Sequence, residues 1–224
     1  MKIVVVNINA AFKDVEDFCN QKFGLGINFI SSKDKLTTDV LKAIDPSYVF
    51  FLHWSYLIPE EVFSQFECIV FHMTDLPYGR GGSPLQNLIV QGHKSTKLSA
   101  IKVEDGIDTG DVYLKKDLDL SGTASEIFQR AGVLMKEMIV EIIEQNILPK
   151  KQEGEVVLFK RRKPEEGNIA HLQSAESVYD YIRMLDAVGY PHAFLETENF
   201  RIEFANANLE SKDIINAHVR IIKK

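Results

Sequence analysis

Cysteine is scarce in this chain of 224 residues: there are only Cys19 and Cys68, and they stand far apart. Two thiols make no disulfide framework and no metal-ligand spacing, so a reducing cytoplasm is the default location. Long apolar runs are missing too; nothing approaches the roughly 20 consecutive apolar residues of a membrane span. The start, MKIVVVNINAAF, is too short and too β-branched for a signal peptide, and Asn7 and Asn9 interrupt it, so it predicts a buried strand. No G-x-G-x-x-G follows that strand, which removes the dinucleotide fingerprint. Excess positive charge is absent: the net charge is −6, which argues against a nucleic-acid partner. The six histidines, His53, His72, His93, His171, His192 and His218, show no ligand spacing, so no metal is expected.

What is present is a folding composition, with 45% hydrophobic and 26% charged residues. The length suits one large domain with a small appendage. Lys2 to Ile8 and Tyr48 to Leu52 predict strands apolar on both faces, and GINFI and CIVFH predict two more strands, the last ending at His72. Between and after them, SSKDKLTTDVLKAI, IPEEVFSQF, SPLQNLIVQG and TASEIFQRAGVLMKEMIVEIIEQ predict helices. Ser32 or Asp34 would cap the first of these, and Ser83, Pro84 and Gly92 would bound the third. LSAIKVE and GDVYLKKDLDL predict further strands. Strands alternating with helices make an α/β fold with a mostly parallel sheet. Near Pro149 the composition turns polar, in PKKQEGE. Residues 1–149 therefore predict a catalytic domain and 150–224 a small C-terminal α+β segment, with a helix capped at Ser174 and antiparallel strands.

Two stretches carry chemistry. FHMTDLPYGRGGSP leaves a strand through His72 and continues as a loop stiffened by Pro77 and opened by Gly79, Gly81 and Gly82. The carboxyl edge of an open α/β sheet is where ligand crevices form, and an imidazole there can exchange a proton near neutral pH. A lone histidine is ordinarily a packed or surface residue; the polar loop around this one shifts the balance. EDGIDTGDV, Glu104 to Val112, is by itself a solvated acidic turn, and its spacing does not match an EF-hand. If it folds against the His72 loop, one of its carboxylates can orient the imidazole.

Taken in order, HMTDLPYGRGGSPLQ, EDGIDTGD, RRKPEEGNI and YIRMLDAVGYPHAF resemble the signatures of the folate-dependent formyltransferases, and they cover most of residues 48–195. The resemblance implies a Rossmann-like formyltransferase domain. It also implies N10-formyltetrahydrofolate as cosubstrate, with an amine attacking its formyl carbon to give a tetrahedral oxyanion. His72 matches the family histidine, as general base or as donor to the oxyanion. Asp108 matches the carboxylate that polarises it. Trp54, Tyr56, Leu57 and Ile58 lie where the family lines its pterin pocket, and Thr74 and Asp105 are set with them as cosubstrate contacts. Arg80 and Gly81, with Arg183 and Tyr190, are the expected substrate contacts.

One position departs from the pattern. The family asparagine two residues before the histidine falls at Val70, which has no side-chain donor. Loss of such a donor lowers rates by on the order of 10²- to 10³-fold. Asn87 is the nearest amide to replace it catalytically, with Thr74 and loop N–H groups as other candidates.

The motif wording is most similar to bacterial sugar N-formyltransferases. It points to a small amino-deoxy sugar as acceptor, nucleotide-linked, such as a 4-amino-4,6-dideoxyhexose. Arg80, Arg183 or Lys163 would hold its diphosphate. Two alternatives stand beside this. One is a methionyl-tRNA formyltransferase, which would need a basic patch on the C-terminal segment. The other is a non-catalytic folate or nucleotide-sugar binding module, left open by Val70. No membrane partner is expected, and the C-terminal strands could pair two copies into a homodimer.

Overall fold

The four apolar runs of the N-terminal half become strands β1 (Ile3–Val6), β2 (Ile27–Ile30), β3 (Tyr48–Phe51) and β4 (Cys68–His72), all parallel. All four residues of β1 are buried, as a central strand covered on both faces requires. The computed structural model describes Met1–Lys224. Its residues form two compact units: Met1–Gly81, Thr96–Leu118 and Phe128–Leu158 in the first, and Gly82–Ser95, Asp119–Ile127 and Phe159–Lys224 in the second.

In the first unit, helices α1 (Lys13–Phe23), α2 (Thr38–Ile44) and α3 (Glu60–Phe63) connect the parallel strands. Helix α1 has no counterpart among the sequence-based expectations. Helix α2 begins later than expected. Thr37 is its cap, accepting from Val40 N, while Ser32 and Asp34 belong to a separate helical turn at Lys33–Lys35. After the two-residue strand β5 (Arg80–Gly81), strands β6 (Ser95–Lys102) and β7 (Val112–Asp119) complete a six-stranded sheet of order β2-β1-β3-β4-β6-β7. Strand β6 runs antiparallel to β4, pairing His72 with Ser99. The sheet is thus mostly parallel.

Val4, Val6, Val49, Phe51 and Cys68 form an apolar cluster with Leu36, Leu41 and Val62 from the covering segments, and Trp54, Ile58 and Val70 pack against it. The long helix α5 (Ala124–Glu144) buries Phe128, Ala131, Met135, Met138, Ile139 and Ile142 at three- and four-residue steps. No helix is long and apolar enough to cross a membrane.

The second unit carries helix α4 (Pro84–Val90) and, beyond the short strand β8 (Leu158–Phe159), helix α6 (Ala175–Arg183). Ser174 caps α6, its side chain accepting from Ser177 N. Strands β9 (Ala193–Glu196), β10 (Phe200–Ser211) and β11 (Ile214–Lys223) form an antiparallel sheet of order β11-β10-β9. It is held partly by the Arg201 guanidinium, 3.5 Å above the Phe194 ring.

Candidate active site

Strand β4 delivers His72 to the carboxyl edge of the sheet, where it is buried with 8% of its surface exposed. The following loop folds back over it, through a cis Leu76–Pro77 peptide. His72 Nε2 lies 2.8 Å from Gly79 O, and Thr74 Oγ1 donates to the same oxygen at 3.3 Å. Ser99 Oγ in turn donates to Thr74 O at 2.7 Å, which ties the loop to β6. Two side-chain donors therefore converge on one carbonyl oxygen.

The acidic stretch between β6 and β7 closes with Lys102 N donating to Asp111 O, 2.8 Å away. Gly110 permits this close return: a Cβ there would lie 1.9 Å from Lys102 O. Asp108 occupies the left-handed region, at φ +53°. Its Oδ2 accepts from Gly81 N at 2.9 Å and stands 3.5 Å from His72 Nδ1. The structure thus brings His72, Gly81 and Asp108 together from two loops distant in sequence. Gly79 O and the Asp108 carboxylate are both acceptors, and they flank the two ring nitrogens.

Gln152, from the polar segment after α5, was not singled out by its sequence context. Its Nε2 donates to Asp108 O and Gly110 O, each at 2.8 Å, and its Oε1 accepts from Arg80 Nε and Nη2 at 3.1 and 2.8 Å. Arg80, expected to meet substrate, is bound here to Gln152.

The other expected residues are distributed as follows. Trp54 packs edge-on against Phe51 and Tyr56, and its Nε1 is buried without a hydrogen-bond partner. Tyr56 and Leu57 are exposed, Ile58 is half-buried, and Lys33 Nζ lies over the Tyr56 ring. Asp105 is exposed, with its carbonyl accepting from Thr109 Oγ1.

Asn87 belongs to the second unit, where its Nδ2 donates to Gly82 O and Lys160 O. Arg183 is 4% exposed and bonded through Nε to Asp180 and through Nη1 to Leu120 O and Gly122 O. These bonds make it a buried clamp on α6, in place of the expected surface contact for a diphosphate. The Tyr190 hydroxyl bonds Gln86, and burial pushes its pKa up. Val70 packs on the apolar cluster beside Trp54 and Ile58. No group of three His, Cys, Asp or Glu side chains is arranged to hold a metal ion.

Residues 8–143 match the formyl transferase family, and residues 164–222 match the C-terminal domain of methionyl-tRNA formyltransferase. A solved methionyl-tRNA formyltransferase from Clostridium thermocellum is 48% identical, covering 100% of both chains with a TM-score of 0.96. The methionyl-tRNA formyltransferase of Thermodesulfovibrio yellowstonii is 26% identical over 178 residues, 76% of this chain and 58% of that protein. This chain thus matches little more than half the length of that curated relative. A 4-N formyltransferase from Francisella tularensis shares the fold at 18% identity, covering 88% of this chain and 93% of its own, with a TM-score of 0.66.

These likenesses overturn the amino-sugar acceptor, its place in carbohydrate biosynthesis and the exclusion of nucleic acid. The motif around His72 carries the family resemblance and says nothing about the amine that receives the group. The net charge misled because it is a sum over the whole chain. Phe159–Lys224 holds ten Lys and Arg against ten Asp and Glu, so the acidic excess lies elsewhere.

Proposed function

This chain belongs to the formyl transferase family, and on that premise we propose that it formylates the amine of methionyl-tRNA. The observation that carries this reading is the full-length 48% identity with the Clostridium thermocellum methionyl-tRNA formyltransferase. The match of residues 164–222 to the family of methionyl-tRNA formyltransferase C-terminal domains agrees with it. The same two matches support a division of labour near Pro149, with the chemistry before it and the C-terminal residues contributing to acceptor recognition. Cys19 and Cys68, both free and buried, support a reducing cytoplasm as the working compartment.

The formyl donor is N10-formyltetrahydrofolate, which supplies the one-carbon unit when bound. The residues present fit such a ligand. The turn after β3 offers Trp54, whose buried Nε1–H awaits an acceptor, beside the apolar Ile58 and Val70. A buried donor left unpaired is costly, and a polar ligand edge relieves it.

In this reading His72 holds the reacting proton at Nε2, and Asp108 supports the ring's positive charge from the Nδ1 side. The bonds to Gly79 O support this reading. That atom is a carbonyl oxygen, the same chemical group as the formyl oxygen, and His72 Nε2 and Thr74 Oγ1 both reach it. We assign Thr74 the second donor role that the family asparagine would fill from position 70. Val70 has no donor and packs on the apolar cluster, the Asn87 amide bonds Gly82 O and Lys160 O, and Thr74 is preferred because its hydroxyl meets His72 Nε2 at one carbonyl oxygen.

The direct test incubates the protein with methionyl-tRNA and N10-formyltetrahydrofolate and follows formyl-methionyl-tRNA. Product is expected from the wild-type chain and not from His72→Ala, with folate binding retained in the variant. Absence of product from the wild type, or near-normal kcat in His72→Ala, overturns the reading.

A further inference from the structure

We propose that Gln152 is a positioning residue: its side-chain amide fixes the backbone that carries Asp108 and thereby sets the carboxylate against His72. This rests on the reading of His72 and Asp108 given above. Nothing in the sequence motifs points to Gln152, which lies in a polar stretch between α5 and β8.

All four polar valences of the Gln152 amide are occupied. Nε2 donates twice, to Asp108 O and Gly110 O, and Oε1 accepts twice, from Arg80 Nε and Nη2. The amide's orientation is unambiguous. A guanidinium can only donate and a backbone carbonyl can only accept, so the flipped amide would place like groups against each other on both sides. Gln152 therefore reads both catalytic loops at once, through Arg80 on one side and residues 108 and 110 on the other.

The Asp108 backbone needs such support. At φ +53° it occupies the sparsely populated left-handed region, which aspartate enters more readily than most residues, and such residues persist where surrounding bonds over-determine them. Around Asp108 those bonds are Gly81 N on the side chain and Gln152 Nε2 on the backbone. The carboxylate stands 3.5 Å from Nδ1, at the limit of hydrogen-bond reach, so a small drift of this loop breaks the contact. Lys115, Asp75 and the Thr109 hydroxyl are bonded elsewhere, to each other or to the Asp105 carbonyl, and do not hold Asp108.

The test is Gln152→Glu, which keeps length and volume and pairs with Arg80 but turns the two donated bonds into repulsions with Asp108 O and Gly110 O. The expected result is a fall in kcat of about 10- to 100-fold, the scale of small misplacements at a reacting centre, with KM for the formyl donor little changed. In an Asp108→Ala background the same substitution should lower kcat by no more than about twofold further, because Gln152 acts through Asp108. Gln152→Met, which removes the donors without adding charge, is read the same way should the Glu variant not fold.

Wild-type kcat in Gln152→Glu or Gln152→Met overturns the assignment. So does an Asp108→Ala background in which the second substitution multiplies the loss in full, as a merely structural role would. If Asp108→Ala itself keeps normal kcat, the underlying reading of the site fails instead, and the two failures are told apart by that single variant.

Discussion

Asp108→Asn separates the charge of this side chain from its shape. Asparagine tolerates the left-handed backbone at φ +53° as well as aspartate does, and its Oδ1 can still accept from Gly81 N. What is lost is one negative charge 3.5 Å from His72 Nδ1. At an effective dielectric of about 20, opposite unit charges at that distance attract by about 4–5 kcal/mol. The Asp108 side chain is 16% accessible, so water weakens this to about 3–4 kcal/mol. That attraction acts only while the ring is charged, so it is lost from the transition state, and kcat falls roughly 10²- to 10³-fold.

The oxygen that keeps the Gly81 bond is the same one that faces Nδ1, so the substitution removes the charge and leaves an acceptor in place. The thermal midpoint should stay within about 2 °C of wild type, since the backbone and the Gly81 bond persist. Single-turnover formyl transfer measures the first quantity and a melting curve the second. A variant whose kcat stays within about threefold of wild type would refute the electrostatic role. One that melts far lower would show that the charge serves the fold.

Thr74→Val removes the second donor that converges on Gly79 O while keeping the buried shape; kcat should drop by about 10²-fold, with folate binding intact by isothermal titration. Gly110→Ala forces a methyl group into Lys102 O, a backbone atom that cannot turn aside. A loss of about 2–3 kcal/mol in urea unfolding is expected, together with loss of activity as the Asp108 loop shifts. Trp54→Phe deletes an unpartnered buried N–H, so the apo protein should melt no lower while tetrahydrofolate binds about 2- to 10-fold more weakly. Burial, helped by neighbouring Glu16 and Glu67 respectively, pushes the Cys19 and Cys68 thiols from 9.0 up to about 12. A raised thiol pKa adds stability that is complete below pH 9 and is lost as pH rises toward 12, so the urea midpoint should fall across that alkaline window. An unchanged midpoint from pH 8 to 11 would contradict this.

The parallel strands were legible because a strand covered on both faces must be apolar at every position, and IVVV, YVFF and CIVFH leave no other reading. Helix α1 was not. Lys13–Phe23 offers Val15 and Cys19 as its buried apolar positions and hides a charged residue, Glu16, which is satisfied by Asn7 and Lys13 only in the folded chain. His72 could be placed at a strand end from its preceding apolar run. The amine acceptor could not be placed, because the short motifs around His72 and Asp108 carry the family resemblance without carrying the identity of the recipient. Gln152 sat unmarked in a polar stretch, since an amide has no periodicity and no motif.

The amino-acid sequence by itself determined the alternation of strands and helices, the family chemistry, and the two loops in which His72 and Asp108 reside. Those follow from local burial patterns and short motifs, which act over a few residues. Only the tertiary structure decided that Asp108 lies 3.5 Å from the ring, that Thr74 and His72 meet at one carbonyl oxygen, and that Gln152 secures the carboxylate's backbone. Each of those contacts joins groups whose approach is set by strand register and loop return, and a hydrogen bond depends on distances of a few tenths of an ångström that no local pattern encodes.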